Sequence, residues 1–276
     1  MRDLNDANSI EAFMKSGMRL LIVGGGYIGL EAAATARKFG VDVTLVEIEE
    51  RILKRVAAKE TSDYIRSLHI SNGVKIKEAI GLDKLEIVGE KVVNASLTDG
   101  SDINVDFVIV GIGITPNTDL AEGANLKINN GILINEKCQT SVSNIYAAGD
   151  CTSFKYKNTL VRLESVGNAI DQATTVAQNI MKQNTSYTPK PWFWSDQYDL
   201  KLQIAGLNTG YDEVVVRKGE SRQVSHWYYK GQSLLAVDAL NDPRCYMIGK
   251  RLIEANKSPS KNQLRDENFN LKVLLK

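Results

Sequence analysis

Short unbroken apolar runs alternate, in the first part of the chain, with stretches whose apolar residues recur at helical spacing. Residues 2–16 read as a lead-in helix or linker. Leu20–Val23 is a buried-strand run, a helix-like stretch continues to Gly40, and Val41–Glu47 is a second apolar run that ends in an acid. The pattern predicts a helix over Ala57–Leu68, a turn over His69–Gly73 and a strand starting at Val74-Lys75-Ile76. Period-two alternation then appears in Leu85–Val88, Lys91–Leu97 and around Ile103. It is broken at Gly89-Glu90 and Asp99-Gly100, which predicts a β-meander. Phe107–Val110 is another short buried run, stopped by Gly111–Asn117, where two glycines and a proline leave backbone free at the strand end.

Residues 118–190 change character. Ile132–Ile134 reads as a short strand after the Asn130-Gly131 turn, and Thr140–Asp150 as a strand ending in a small-residue turn and a carboxylate. Ala169–Met181 is helical by pattern, with Ala169, Ile170, Ala173, Val176, Ala177 and Ile180 forming its apolar side. From Pro191 onward, β-type stretches fall at Lys201–Ala205, Glu213–Arg217, His226–Tyr229 and Leu234–Val237, followed by a helix over Met247–Glu254. The expected class is α/β, in three domains: 1–111 with the meander, 112–190, and an α+β domain at 191–276.

The chemistry concentrates at the first glycine turn. Gly24, Gly26 and Gly29 make a G-x-G-x-x-G that follows a strand, opens a helix, and precedes Glu47 by eighteen residues. In that setting the spacing points to a dinucleotide. Gly24 permits a sharp turn, Gly26 lets a pyrophosphate approach the backbone, and Gly29 lets helix and strand pack closely. The helix N-terminus offers unpaired N–H groups to phosphate. Glu47 can accept from both hydroxyls of an adenosine ribose and would repel a 2′-phosphate, which favours NADH over NADPH. Arg51 lies nearby in Glu49-Glu50-Arg51, where a solvated or acid-paired side chain is expected. The plain alternative is a glycine turn without a ligand.

Composition changes this picture little. With 34 basic and 33 acidic residues among 276, no nucleic-acid surface is indicated. Cys138, Cys151 and Cys245 form no C-x-x-C or zinc-like cluster, and His69 and His226 lack ligand spacing, so no metal is expected and structural roles suit both histidines. Without a signal peptide or a bilayer-length apolar stretch, the expectation is a cytoplasmic protein with no membrane partner.

Five motifs carry a family resemblance: GGGYIGLE at 24–31, GIGITPN at 111–117, IYAAGDC at 145–151, VRLESVGNAIDQA at 161–173 and PWFWSDQYDLKLQIAG at 191–206. With them the whole chain resembles the FAD-dependent ferredoxin reductases of the putidaredoxin reductase and Rieske-dioxygenase reductase type, and more distantly rubredoxin reductase. No His-Pro pair occurs, unlike the glutathione reductase class, and residues 1–137 hold no cysteine, unlike low-molecular-weight thioredoxin reductases.

The resemblance implies a Rossmann-like NAD(H) domain, part of a FAD-binding domain and a C-terminal reductase domain. It implies electron transfer from NADH through FAD to a [2Fe–2S] ferredoxin or a rubredoxin, with no acid–base residue and with a homodimer left open. For NAD it marks Gly24, Gly25, Gly26, Tyr27, Ile28, Gly29, Glu31 and Glu47, with Gly111, Ile112 and Gly113 lining the nicotinamide pocket. Glu31 would contact the carboxamide. For FAD it marks Gly149, Asp150 at the ribityl chain, Glu164 beside the flavin–nicotinamide stack, and Val166. Trp192 and Trp194 would lie in a loop over the flavin edge, with Ser195, Asp196 and Gln197, where the iron–sulfur partner docks. Asp150 as a helix cap and the tryptophans as ordinary core are the plainer alternatives.

Segment 191–276 carries thirteen Lys/Arg against ten Asp/Glu, and Arg217-Lys218 and Lys250-Arg251 are local basic pairs that would steer an acidic ferredoxin. Family members begin with a further nucleotide-binding unit holding the ADP half of FAD, and only one G-x-G-x-x-G here sits between strand and helix. The resemblance therefore implies an N-terminally truncated fragment, with an open sheet edge and exposed apolar surface in residues 112–190. FAD binding by such a chain alone is in question. The rival functions are an NAD(H)-binding module without turnover and an apoptosis-inducing-factor-like flavoprotein.

Overall fold

A computed structural model describes residues 3–157 and 159–275. After a capped helix, α1 (Leu4–Glu11), the chain builds a parallel sheet in the order β3-β2-β1-β7. Its members are β1 (Arg19–Val23), β2 (Asp42–Glu47), β3 (Lys75–Glu78) and β7 (Phe107–Val110), with α2 (Tyr27–Lys38) and α3 (Lys59–Ser71) as the crossovers. Between β3 and β7 the chain forms an antiparallel meander of β4 (Leu82–Val88), β5 (Lys91–Leu97) and β6 (Asp102–Asn104).

The unbroken apolar run of β1 reflects burial on both faces. Leu20 and Ile22 join the core under the helices with Leu30, Ala33 and Ile65, while Leu21 packs with Ala95, Leu97 and Val105 of the meander side. Each such fully buried aliphatic side chain is worth about 1.5–3 kcal/mol of transfer free energy. The alanines of α2 (Ala33, Ala34, Ala36) are buried and short, and Arg37 and Lys38 close its last turn where cations oppose the helix dipole favourably.

Residues 112–190 hold α4 (Asp119–Gly123), β8 (Ile132–Leu133), β9 (Thr152–Tyr156), β10 (Thr159–Val161) and α5 (Val166–Ile180), with the small sheet ordered β10-β9-β8. Two expectations fail here. Thr140–Asp150 contains no strand, only a bridge between Gln139 and Tyr146. The apolar side expected of α5 is mostly not its buried side. The helix buries Asn168, Gln172 and Thr175, while Ala169 and Val176 are half-buried and Ile170, Ala173, Ala177 and Ile180 are exposed.

The remaining chain forms a five-stranded antiparallel sheet, β11-β12-β15-β14-β13. Its strands are β11 (Trp192–Gln197), β12 (Leu200–Gly206), β13 (Glu213–Lys218), β14 (Val224–Lys230) and β15 (Ser233–Leu240). They are followed by α6 (Pro243–Glu254), α7 (Lys261–Arg265) and a 3-10 turn at Leu271–Leu275. One face packs on α6 through Trp227, Val237, Tyr246 and Leu252; the other contributes Leu200, Leu202, Ile204 and Leu240 to the core containing Leu30 and Ile65.

The segment at 192–197, expected as a loop, is therefore an edge strand paired along its length with β12. Likewise α3 runs on to Ser71 in place of a turn from His69, because His69 is buried and hydrogen-bonded to Gln197 of β11.

Candidate functional site

The C-terminal ends of β1 and β7 meet at the glycine turn. Gly24 has φ +107°, and a Cβ there would stand 2.4 Å from the Gly111 carbonyl oxygen, so no side chain fits between the strands. A Cβ on Gly29 would meet the Gly24 carbonyl at 2.2 Å, which makes the close helix–strand approach explicit. Gly26, by contrast, faces open space, with nothing within 4 Å of its Cβ position. It is also the N-cap of α2 and supplies no side-chain acceptor, so the first-turn N–H groups of α2 remain for a ligand. This is the crevice at the strand ends where open α/β sheets bind.

Glu47 stands half-buried at the tip of β2. Its Oε2 accepts from Gly25 N–H at 2.7 Å and its Oε1 from Glu49 N–H at 2.9 Å, which fixes the carboxylate beside the turn. Arg51 is half-buried and has no acid partner among the described residues: its guanidinium donates to Ser62 Oγ and, at 2.9 Å, to the Ala57 carbonyl. It is committed to α3 and its preceding turn.

A cleft of about 880 Å³ opens beside this crevice. It brings together Tyr27, Ile112, Gly113 and Glu164 of the expected residues, and adds Arg162 and Asp238. Tyr27 Oη is buried without a hydrogen-bond partner, and burial, with the nearby Asp238 charge, keeps the phenol protonated. Arg162 Nη1 donates to Glu164 Oε1 at 2.7 Å, while its Nε is buried and unpartnered. Ile112, which lines the cleft, and Ile28 are exposed, and Gly113 adopts φ +119°.

Outside the cleft's lining lie the other expected residues. Glu31, one turn along α2 from Tyr27, accepts from Ser195 Oγ at 2.6 Å. Burial raises its carboxyl pKa, a rise that Ser195 opposes and Asp196 supports. Gly149 N–H donates to Gln172 Oε1 at 2.7 Å, while Gln172 Nε2 is buried and unpartnered; Asp150, the next residue, is exposed. Asp150 does not cap α5; Ser165 does, and Val166 follows it exposed. Trp192 and Trp194 stack with ring centroids 5.3 Å apart, and Trp194 is 47% exposed.

Sequence reading missed Asp238 and Arg162. Asp238 accepts from Thr61 Oγ1 at 2.7 Å and from the Tyr228 hydroxyl; its pKa is pushed up to about 6 by burial. Thr61 Oγ1 also lies 2.8 Å from His226 Nδ1. With the threonine proton given to Asp238, His226 carries its own proton on Nδ1 and donates to Thr61. The only advance signal for Asp238 was an acid inside an apolar β-run. Among the described residues there is no cluster of metal-ligating side chains, and no helix is long and apolar enough to cross a membrane.

A glycine-turn crevice at the ends of a four-stranded parallel sheet is thus joined to a five-stranded antiparallel sheet. The family model described as pyridine nucleotide-disulphide oxidoreductase matches residues 1–173, and one described as reductase C-terminal matches residues 192–275. The chain belongs to the pyridine nucleotide-disulphide oxidoreductase family, in its FAD-dependent ferredoxin reductase type.

It is 37% identical to rhodocoxin reductase of Rhodococcus erythropolis, over 100% of this chain and 65% of that protein. It is 39% identical to putidaredoxin reductase of Pseudomonas putida, over 100% of this chain and 66% of that one. The chain thus spans just under two thirds of these relatives' lengths. A solved ferredoxin reductase for the CYP199A2 system of Rhodopseudomonas palustris superposes with TM-score 0.95 at 35% identity, covering 100% of this chain and 69% of that one. The covalent putidaredoxin reductase–putidaredoxin complex matches with TM-score 0.94 at 39% identity, covering 99% and 67%.

Proposed function

We propose that this chain carries the NADH-binding and flavin-contacting parts of an electron-transfer reductase. That enzyme takes electrons from NADH by way of FAD and delivers them to a [2Fe–2S] ferredoxin or a rubredoxin. The observation that supports it best is one cleft that joins Tyr27, from residues 1–111, to Ile112-Gly113 and the Arg162–Glu164 pair of residues 112–190. The relatives' names, putidaredoxin reductase and rubredoxin reductase among them, point the same way.

The residues present fit both cofactors. Open space at Gly26 and an uncapped helix N-terminus suit a pyrophosphate, and the buried, unpartnered Tyr27 Oη, Arg162 Nε and Gln172 Nε2 suit an extended polar cofactor. Gly24–Gly29 would hold the NADH phosphates, Glu47 the adenosine ribose, Glu31 the carboxamide, and the Gly111–Gly113 backbone the nicotinamide. Gly149, Asp150, Glu164 and Val166 would face FAD, which supplies the conversion of a two-electron hydride into single-electron steps. Residues 1–111, 112–190 and 191–276 then serve as NAD(H), partial FAD and C-terminal domains.

Trp194, exposed on β11 beside Trp192, would face the iron–sulfur partner. Arg217 drops out of the docking surface, because its guanidinium is buried among carbonyl groups of the C-terminal segment.

Calorimetric titration with NADH and NADPH tests the nucleotide reading. The NADH preference is expected to exceed tenfold, since a 2′-phosphate would have to settle against the fixed Glu47 carboxylate, and Glu47→Ala should narrow it. Equal affinities for the two nucleotides, or no binding of either, would overturn the reading.

A further inference from the structure

Four side chains from three elements form one buried file of hydrogen bonds that ends on Glu31. Ser195 Oγ lies 2.6 Å from Glu31 Oε1, Gln197 Nε2 lies 2.9 Å from Ser195 Oγ, and Gln197 Oε1 lies 2.8 Å from His69 Nε2. Tyr198 Oη, 3.4 Å from His69 Nδ1, extends the file toward the surface. Ser195 and Gln197 are two apart on β11, so both point inward from the same face of the strand. Trp192 and Trp194 occupy the opposite face.

The carboxylate decides the direction of every bond. Ionised Glu31 can only accept, so Ser195 spends its single proton on Glu31 and must itself accept from Gln197 Nε2. That orientation of the amide leaves Gln197 Oε1 to accept from His69 Nε2–H. Burial keeps His69 neutral, so its Nδ1 is bare and accepts from Tyr198. A flipped Gln197 amide would present a donor to Ser195 no longer, and would turn Nε2 against the protonated nitrogen of His69. All the dipoles therefore run one way, toward the carboxylate, and such a file polarises cooperatively.

Its terminus lies one helical turn from the cleft, outside the lining itself. Glu31 lies four residues after Tyr27 on α2, hence on the same helix face one turn along, and Tyr27 lines the cleft. Oε1 is occupied by Ser195, whereas Oε2 has no hydrogen bond among the described residues. A half-buried carboxylate with one oxygen pinned and the other free is a directed acceptor for an N–H₂ group.

We propose that Ser195, Gln197 and His69 are positioning residues for nicotinamide recognition, a one-way hydrogen-bond file that fixes the Glu31 carboxylate so that its free oxygen meets the carboxamide N–H₂. The proposal rests on the reading of Glu31 given above, and it makes the C-terminal sheet a working part of the nucleotide site. It also explains why β11 buries a serine and a glutamine where packing alone would favour apolar residues.

Two measurements on the chain test it. Carbon-detected titration of Glu31 without nucleotide reads the file itself. Ser195→Ala should raise the Glu31 pKa, because the hydrogen bond to its ionised form is gone. Ser195→Thr should restore it, and Gln197→Met should produce a smaller rise. An unchanged titration in Ser195→Ala overturns the proposal, and a rise in Ser195→Ala with none in Gln197→Met overturns the file beyond Ser195.

Calorimetry with NADH and with ADP-ribose, which lacks the nicotinamide, reads its consequence. Ser195→Ala and Glu31→Gln should each weaken NADH about tenfold, the weight of one hydrogen bond to a charged group, and leave ADP-ribose unchanged. Equal weakening of both ligands by Ser195→Ala would show general damage and overturn the positioning role. A loss with Glu31→Gln but none with Ser195→Ala would overturn the file and leave the assignment of Glu31 intact. A silent Glu31→Gln would overturn that assignment and the proposal with it.

Discussion

Arg217 donates from Nη1 to the Leu264 carbonyl at 3.0 Å and from Nη2 to the Glu267 and Phe269 carbonyls at 2.9 and 3.0 Å, and it also reaches Asp266. A single buried guanidinium thus gathers the carbonyls that α7 and the following turn leave unpaired, where a cation also opposes the helix C-terminal dipole. Truncation would strand several acceptors at once. Arg217→Met is expected to destabilise the chain by about 2–3 kcal/mol in urea denaturation, the scale of a lost charged hydrogen bond plus unsatisfied carbonyls. A midpoint unchanged from the parent would refute the clamp. The neighbouring Lys218 is exposed, so Lys218→Glu serves as the neutral control. The basic pair was legible as charge, but its division was not read from period two. Val215 and Arg217 face inward along β13, and Val216 and Lys218 outward. The place of Glu47 at the tip of β2 was legible, because a strand-end acid after a glycine turn has a fixed geometric context; its bonds to the Gly25 and Glu49 N–H groups were not. Arg51 was not, because its partners Ser62 and Ala57 carry no charge to announce them.

At the scale of elements, several of the errors share one cause: polar residues placed inside. Strand β11 was unreadable as a strand because its inward positions, Ser195 and Gln197, are polar and satisfied by Glu31 and His69 rather than by packing. Strands β9 and β10 are short and part-polar, and gave no run to detect. The β1–α2–β2 unit and the meander were read closely, since there burial and periodicity agree. Helix α5 inverts the usual rule. Its buried Gln172 bonds to Gly149 and Thr152, while Val166, Ile170, Ala173, Ala177 and Ile180 make a 4-3-4-3 apolar stripe of which every member is exposed. An exposed stripe of this kind is expected to promote self-association. Replacing Ile170 and Ile180 together with glutamate should lower the light scattering of concentrated samples severalfold and leave the unfolding midpoint nearly unchanged, because exposed positions contribute within about ±0.5 kcal/mol. A large drop in the midpoint would show that the stripe is packed against the chain after all.

At the scale of the whole molecule, the helices of the parallel-sheet unit and the C-terminal sheet meet through a shared apolar core and two buried polar joints. Both histidines lie in these joints, which no spacing in the sequence could reveal, since Thr61 and Asp238 are 177 residues apart. The cleft was opaque for the same reason: Tyr27, Arg162 and Asp238 converge only once three sheets are placed. The second joint makes stability depend on pH in a way that can be separated into parts. Burial lowers the His226 pKa from 6.5 to about 4, so the unfolded chain binds the extra proton, and this group's contribution is lost as pH falls from about 6.5 to 4. Burial raises the Asp238 pKa from 3.8 to about 6, so the folded chain binds the extra proton, and this contribution is lost as pH rises from about 4 to 6. Each shift is worth about 3 kcal/mol, and over the shared window they oppose one another. Asp238→Asn keeps an acceptor for Thr61 and Tyr228 but cannot titrate. The stability of the parent minus that of Asp238→Asn, from urea unfolding at successive pH values, should therefore fall by about 3 kcal/mol between pH 4 and 6. The variant alone should lose stability steeply on acidification as His226 is forced to charge. A difference that stays level across that range would mean that Asp238 is ionised throughout and that its burial is compensated by Thr61 and Tyr228 alone.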